Sequence, residues 1–474
     1  MIFSSLIFTF YFLPIVLLLY YLSKEQFRNY ILLVASLCFY AYGEPFFVFV
    51  MLLSIVLSYI FARLIAWLND TGKKTTSKIV LFLDIVISIG ILFVYKYLDF
   101  SIGIVNQVTM SSITPTGIKL PIGISFFTFQ ALSYVIDVYR GRVKVQKNPF
   151  YVALYISFFP QLVAGPIVRY STIEEQIISR SQSAEFFAEG VRRFMLGFCK
   201  KILIANNVGA VASEIFSLDY SATSLTTMWL GSICYSLQIL YDFSGYSDMA
   251  IGLGKMFGFR FEENFNYPYM AKSITDFWRR WHISLSQWFR DYVYIPLGGS
   301  RVSVPRQVVN LLIVWLLTGL WHGANYTFIV WGLFYFVLLV IEKYVIMPDR
   351  RKGIVFSVAW RVITLLCVNF AWVIFNSESL HAGAAYCFSM VGFNGTSGII
   401  DDVAIRNLRE YGAYVFAGIL FASPIAKIIR EKLLVEKNAI IGKYVEAFAY
   451  GIVFLWATSY LVLGAHNPFI YFNF

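Results

Sequence analysis

Two of the four histidines stand where imidazole chemistry has to be accounted for. His322 lies in "LLTGLWHGANYTF", residues 316–328, one of the most apolar stretches of the chain, and His282 follows paired arginines and a tryptophan in "ITDFWRRWHISLSQWFRDY", residues 274–292. Imidazole takes or gives a proton near neutral pH, and burying it in hydrocarbon is costly unless a partner or a water-filled cavity receives it. His322 is therefore a proton-transfer group or a core histidine bonded to a backbone carbonyl. His282 is a catalytic or an interfacial structural histidine. The residues alone leave both choices open.

Other candidates carry less chemistry. Cys38, Cys199, Cys234, Cys367 and Cys387 form no C-x-x-C pair and lie mostly in apolar runs, which indicates packing and neither a disulfide framework nor a zinc site. "GLGKMFG" at 252–258 resembles a phosphate loop but has the spacing of neither a P-loop nor a dinucleotide fingerprint, so its glycines are expected to serve packing. Asp84, Asp137, Asp242, Asp248 and Glu342 lie in or beside apolar segments, where ion pairing or helix-end hydration is expected. "YDFSGYSDMA" at 241–250 is the densest polar cluster in an expected helix, with the composition of a cavity wall.

The elements that must position these groups follow from composition. A chain of 474 residues that is 59% hydrophobic, 19% aromatic and 14% charged cannot hide its apolar surface in one water-soluble core. An all-α polytopic membrane protein is expected, organised as one integral membrane domain over 1–474. "MIFSSLIFTFYFLPIVLLLYYL" lacks a basic first region and a small-residue cleavage site, and is expected to be a retained first span. The net charge of +11 is spread between hydrophobic segments and reflects topology, not nucleic-acid binding.

Basic segments at 24–28, 73–78, 140–147, 348–352 and 427–443 are expected on the cytoplasmic side, whereas 43–45, 99–118, 376–410 and the tail "NPFIYFNF" are expected outside. "YISFFPQLVAGPIVRY", 155–170, is too short and too interrupted by Pro160 and Pro166 for an ordinary span, which suggests a re-entrant segment protected by protein. Residues 266–306 remain cytoplasmic. Within them, 274–292 plotted at about 100° per residue gathers Phe277, Trp278, Trp281, Leu285, Trp288, Phe289 and Tyr292 on one arc, as in an interfacial helix. About fifteen helical residues separate Arg306 from His322, a rise of about 23 Å, less than the roughly 30 Å of hydrocarbon. His322 should lie within the membrane.

The motifs "PIGISFFTFQALSYVIDVYRG", "FPQLVAGPIVRY", "LYDFSGYSDMAIGLGKMFGF", "NFNYPYMAKSITDFWRRWHISLSQWFRDYVYIPLGGSR", "LTGLWHGANYTFIVWG" and "PFIYFNF" resemble the membrane-bound O-acyltransferase family, in its bacterial alginate O-acetylation branch, nearly end to end. The resemblance implies a fold of about 11–12 transmembrane helices, with re-entrant and interfacial helices around a central tunnel. It further implies His322 as the catalytic histidine and His282 as its support. The implied donor is acetyl-CoA or another acyl thioester used as substrate, with no tightly bound cofactor and no metal. The implied setting is a bacterial inner membrane, an outer-side SGNH-type acetyltransferase partner and a polysaccharide acceptor such as alginate or peptidoglycan. Two alternatives are D-alanyl transfer to teichoic acid on the same fold and a transporter or flippase without chemistry, although no related halves occur in the chain.

The orientation is directly testable. In a cysteine-free background, a cysteine at Ser111 should react with an impermeant thiol reagent added to intact cells, and one at Gln146 should not; rapid external labelling at Gln146 would reverse the topology.

Overall fold

The computed structural model describes residues 2–163, 165–348, 351, 353–393, 398–432, 439–464 and 470, with backbone alone for 439–441 and 443. Parts of the basic 348–352 and 427–443 segments, residues 394–397 of the expected outer loop and all of "NPFIYFNF" except Ile470 lie outside the described residues. The described chain is helical, without a strand. It forms two compact units, residues 1–194 with 249–262 and residues 195–248 with 263–474.

In the first unit a π-helical turn, Phe8–Phe12, leads into α1 (Leu13–Leu22), followed by α2 (Glu25–Gly43), α3 (Val48–Asp70), α4 (Lys74–Lys96), α5 (Leu98–Thr109) and α6 (Ile124–Tyr139). The segment expected to be re-entrant, 155–170, runs from the buried end of α7 (Pro149–Ser157), whose start is exposed, through the fully buried α8 (Phe159–Leu162) to the start of α9 (Tyr170–Ile178). Backbone that is not helical is tolerated in an apolar setting only where protein covers it, and residues 158–163 and 165–168 are buried. Helix α10 (Ala184–Cys199) continues into the second unit.

The second unit continues through a π-helical turn at Lys200–Ala205, α11 (Asn206–Phe216) and the long α12 (Leu225–Met256), whose last turns belong to the first unit. Then come α13 (Ile274–Trp278), α14 (Ile283–Phe289), α15 (Val304–His322), α16 (Tyr326–Ile341), α17 (Ile354–Asn376), α18 (Leu380–Met390), α19 (Asp402–Phe421), α20 (Ile425–Arg430) and α21 (Ala439–Val462). Seven described helical segments are long and apolar enough to cross a membrane, among them α3, α4, α15 and α17; Phe8–Leu22 and Ile124–Tyr139 are shorter apolar helices. Phe49, Leu53, Val56 and Ile60 on α3 and Phe82 and Val86 on α4 leave their side chains exposed, as faces solvated by lipid do.

A methyl group on Gly252 would strike the backbone of Phe194 and Gly190, and one on Gly254 the Phe261 ring, so "GLGKMFG" is a close-packing seam. Asp242 and Asp248 are neutralised by Lys201 at 2.5 Å and Lys200 at 2.6 Å, two adjacent lysines of the π-helical turn, so much of the polarity of 241–250 is internal ion pairing. Asp137 has Arg142 at 3.8 Å. Glu342 is buried and accepts the amide N–H groups of Ile274 at 2.7 Å and Thr275 at 2.8 Å, capping α13. Asp84 differs: its carboxylate is buried with no hydrogen-bond partner among the described residues.

The hairpin of α15 and α16 packs backbone against backbone. A methyl group on Gly319 would overlap the Phe328 carbonyl, and one on Gly332 the Trp315 carbonyl, so the two backbones meet without intervening side chains. That contact sets the position of His322 one turn beyond Gly319. Gly319→Ala should force the hairpin apart at a cost of about 1–3 kcal/mol. The expected result is a lower thermal unfolding midpoint of the purified protein, and an unchanged midpoint would show that the crossing relaxes freely.

Candidate active site

His322 is the last residue of α15 and Gly323 breaks the helix with extended backbone, φ −177° and ψ 163°. Asn325 then caps α16 by accepting the Thr327 amide at 3.1 Å. The turn is tight because a side chain on Gly323 would collide with the Phe328 ring. His322 is 4% exposed and is enclosed by Trp321, Trp331 and Phe375, with ring centroids 5.0, 5.0 and 5.1 Å away.

His282 arrives by a different local rule. The single helix expected over 274–292 is interrupted: α13 ends at Trp278, His282 adopts a left-handed conformation with φ 43° and ψ 56°, and α14 begins at Ile283. A non-glycine residue in that region is strained and persists only where its surroundings over-determine it. Asn264 does so. Its backbone carbonyl accepts the Ile283 amide at 3.0 Å, and its side-chain Oδ1 accepts the Ser284 amide at 3.1 Å and the Ser284 hydroxyl at 2.9 Å, with His282 Nδ1 at 3.2 Å. The helical plot nevertheless picked the buried set correctly, since Phe277, Trp278, Trp281, Leu285, Trp288, Phe289 and Tyr292 are all buried. Each short helix is amphipathic in its own register.

The His282 ring is packed against Phe243 at 4.6 Å and against Trp321 at 5.7 Å. Trp321 also touches His322, so the two histidines picked from the sequence share one indole as neighbour. Around them Trp278, Trp315, Trp331 and Tyr335 form edge-to-face contacts, and Phe375 and Trp372 close the cluster. Asn264 was not singled out from the sequence. Its signal was weak, because one asparagine in "NFNYPYM" looks like ordinary turn chemistry.

Burial pushes the His282 imidazole down to about 3, so it is neutral at physiological pH. Among the described residues no cluster of histidine, cysteine and carboxylates is arranged to hold a metal. What the arrangement offers is two buried imidazoles in an aromatic setting, of which His322 is the candidate for moving a proton between oxygen and sulfur, while His282 stays neutral.

Residues 144–379, which contain both histidines, match the membrane-bound O-acyltransferase family. A Pseudomonas aeruginosa protein described as a probable alginate O-acetylase is 44% identical over 83% of this chain and 75% of its own length. The chain belongs to the membrane-bound O-acyltransferase family. An Azotobacter vinelandii protein of the same description is 38% identical over the whole of both chains. A Helicobacter pylori peptidoglycan O-acetyltransferase is 35% identical over 84% of this chain and 81% of its own length. The protein is thus a multi-pass membrane O-acyltransferase, and its motifs at 144–379 are those of the family.

The depressed His282 pKa makes stability depend on acid. The unfolded chain, with an ordinary histidine near 6.5, binds a proton between about pH 6.5 and 3 that the folded chain refuses, so the contribution is fully present above about 6.5 and falls away below it, by about 1.4 kcal/mol per pH unit. The folded protein should therefore lose more stability between pH 7 and pH 5 than the His282→Gln variant. Parallel acid dependence of the two unfolding midpoints would contradict this.

Proposed function

We propose that this acyltransferase is an O-acetyltransferase of a bacterial inner membrane, taking acetyl from a cytoplasmic thioester, acetyl-CoA or a carrier-bound equivalent. The acetyl group goes toward the hydroxyls of a cell-envelope or extracellular polysaccharide. The relatives named as alginate and peptidoglycan O-acetyltransferases support the acetyl group and the glycan acceptor. The observation that carries the reading is the placement of His322, buried at the turn of a short hairpin with His282 across a shared tryptophan.

In the reaction, His322 takes the proton of an acceptor hydroxyl as its oxygen attacks the thioester carbonyl carbon. The tetrahedral oxyanion collapses, the carbon–sulfur bond breaks, and the proton on His322 passes to the departing thiolate. An ester and a free thiol result, with no net proton change. The acetyl group of the ester formed on the outer side is passed to a glycan hydroxyl with the help of an SGNH-type partner, which frees the first hydroxyl, and no tightly bound cofactor is required because the thioester supplies the driving force. His282 organises the donor and does not exchange the proton.

His322→Ala and His322→Gln should remain folded and membrane-inserted while transfer from labelled acetyl-CoA drops by about 10² to 10⁴. Full transfer by His322→Gln would remove the base role. His282→Ala should lose activity chiefly through weaker donor use, and an unaffected rate would return His282 to a structural role.

A further inference from the structure

The hydrogen bonds around Asn264 decide which nitrogen of His282 carries its proton. The Ser284 backbone N–H can only donate, so the Asn264 atom that receives it at 3.1 Å must be the carbonyl oxygen. The same oxygen lies 3.2 Å from His282 Nδ1, which must then be the N–H. Since the ring is neutral, Nε2 is left as a bare lone pair. That atom is buried and has no hydrogen-bond partner among the described residues, and its aromatic neighbours Phe243 and Trp321 offer no charge. A buried acceptor without a donor is destabilising, and the strained backbone at His282 adds to that cost. The pairing invites a ligand that brings its own N–H or O–H.

We propose that Asn264 is a positioning residue that locks His282 as the Nδ1–H tautomer, so that Nε2 accepts a hydrogen bond from an amide N–H in the arm of the acyl donor. The assignment of the ligand rests on the acyl-transfer reading: acetyl-CoA and a carrier protein present the same pantetheine arm, with an amide two carbons from the thioester sulfur. The donor is favoured over the acceptor glycan because His282 sits on the basic 266–306 segment expected at the cytoplasmic side. No covalent change occurs at His282. The lone pair holds the arm, and the acetyl carbon is presented to the reacting hydroxyl.

Three measurements on the full-length purified protein test this. With ¹⁵N-labelled histidine, and the His282 signals assigned by their loss in His282→Gln, the spectrum should show a protonated Nδ1 and an unprotonated Nε2, and the preference should weaken in Asn264→Ala. A wild-type His282 protonated on Nε2 would overturn the proposal without reference to activity. S-acetyl-N-acetylcysteamine should outperform its analogue with the amide N–H replaced by ester oxygen by about tenfold in kcat/KM, and the preference should vanish in His282→Ala and Asn264→Ala. A preference preserved in both variants would place the amide elsewhere.

The third measurement uses Asn264→Asp, which keeps an acceptor for Ser284 and His282 but adds a negative charge that favours imidazolium. The acid limb of its acetyl-CoA activity should lie at higher pH than the limb that protonation of His322 gives the wild type, and activity should recover as pH is raised. An acid limb unmoved from the wild-type position in a folded Asn264→Asp would argue against an acceptor role for Nε2. Comparing acetyl-CoA with an acetylated carrier protein tells which source supplies the arm, since both depend on the same nitrogen. If no thioester supports transfer by the wild type, the acetyltransferase reading falls, while the nitrogen spectrum still decides the tautomer.

Discussion

One carbonyl oxygen, Oδ1 of Asn264, holds the local structure on which the site depends. It replaces the helical hydrogen bond that the first turn of α14 would otherwise lack, and so permits the chain to reverse at His282 in a left-handed conformation. Without that reversal α13 and α14 would form one helix, and His282 would lie on whichever face the helical repeat dictated. With it, the imidazole turns between Phe243 and Trp321. The interaction is strong because the surroundings are dry: an amide oxygen shielded from water loses more when a donor is withdrawn.

The same economy governs the other helix ends. Glu342 receives the free amides of α13 and the Trp360 indole at 3.3 Å, and Asn325 caps the helix that follows His322. Both histidines therefore sit at helix termini, where the backbone stops following a repeat and side chains can be aimed. The packed aromatic rings behind them supply rigidity. Edge-to-face contacts join Trp278, Trp331 and Tyr335 at 4.9–5.6 Å, which fixes the walls within which His322 can turn.

The sequence was most informative where physics is local. Hydropathy revealed the spans, the cost of burying imidazole singled out His322, and the family resemblance singled out His282; the fold packs both rings against Trp321. Neutralisation of Asp242 and Asp248 was anticipated as ion pairing, but the lysines were not named, because nothing in a linear pattern shows that a π-helical turn aims adjacent Lys200 and Lys201 at the same neighbour. The break at His282 was also hidden. A periodic aromatic pattern persists through it, and its cause lies eighteen residues earlier in sequence, at Asn264. Periodicity reports which residues are buried more reliably than it reports whether the helix between them is continuous.

The π-helical turn at Lys200–Ala205 also limits how this chain can vary in length. Such a turn holds a residue more than an α-helix of the same rise, and that extra residue lets two consecutive lysines reach two carboxylates six positions apart on α12. Loss of one residue there would restore α-helical winding with the flanking helices close to their present register, and would take away the extra residue that presents Lys200 and Lys201 to different carboxylates. One of the two carboxylates would then lose its lysine. A one-residue gap that passes unnoticed in a surface loop would, at this place, require compensating changes at Asp242 or Asp248 in the same lineage.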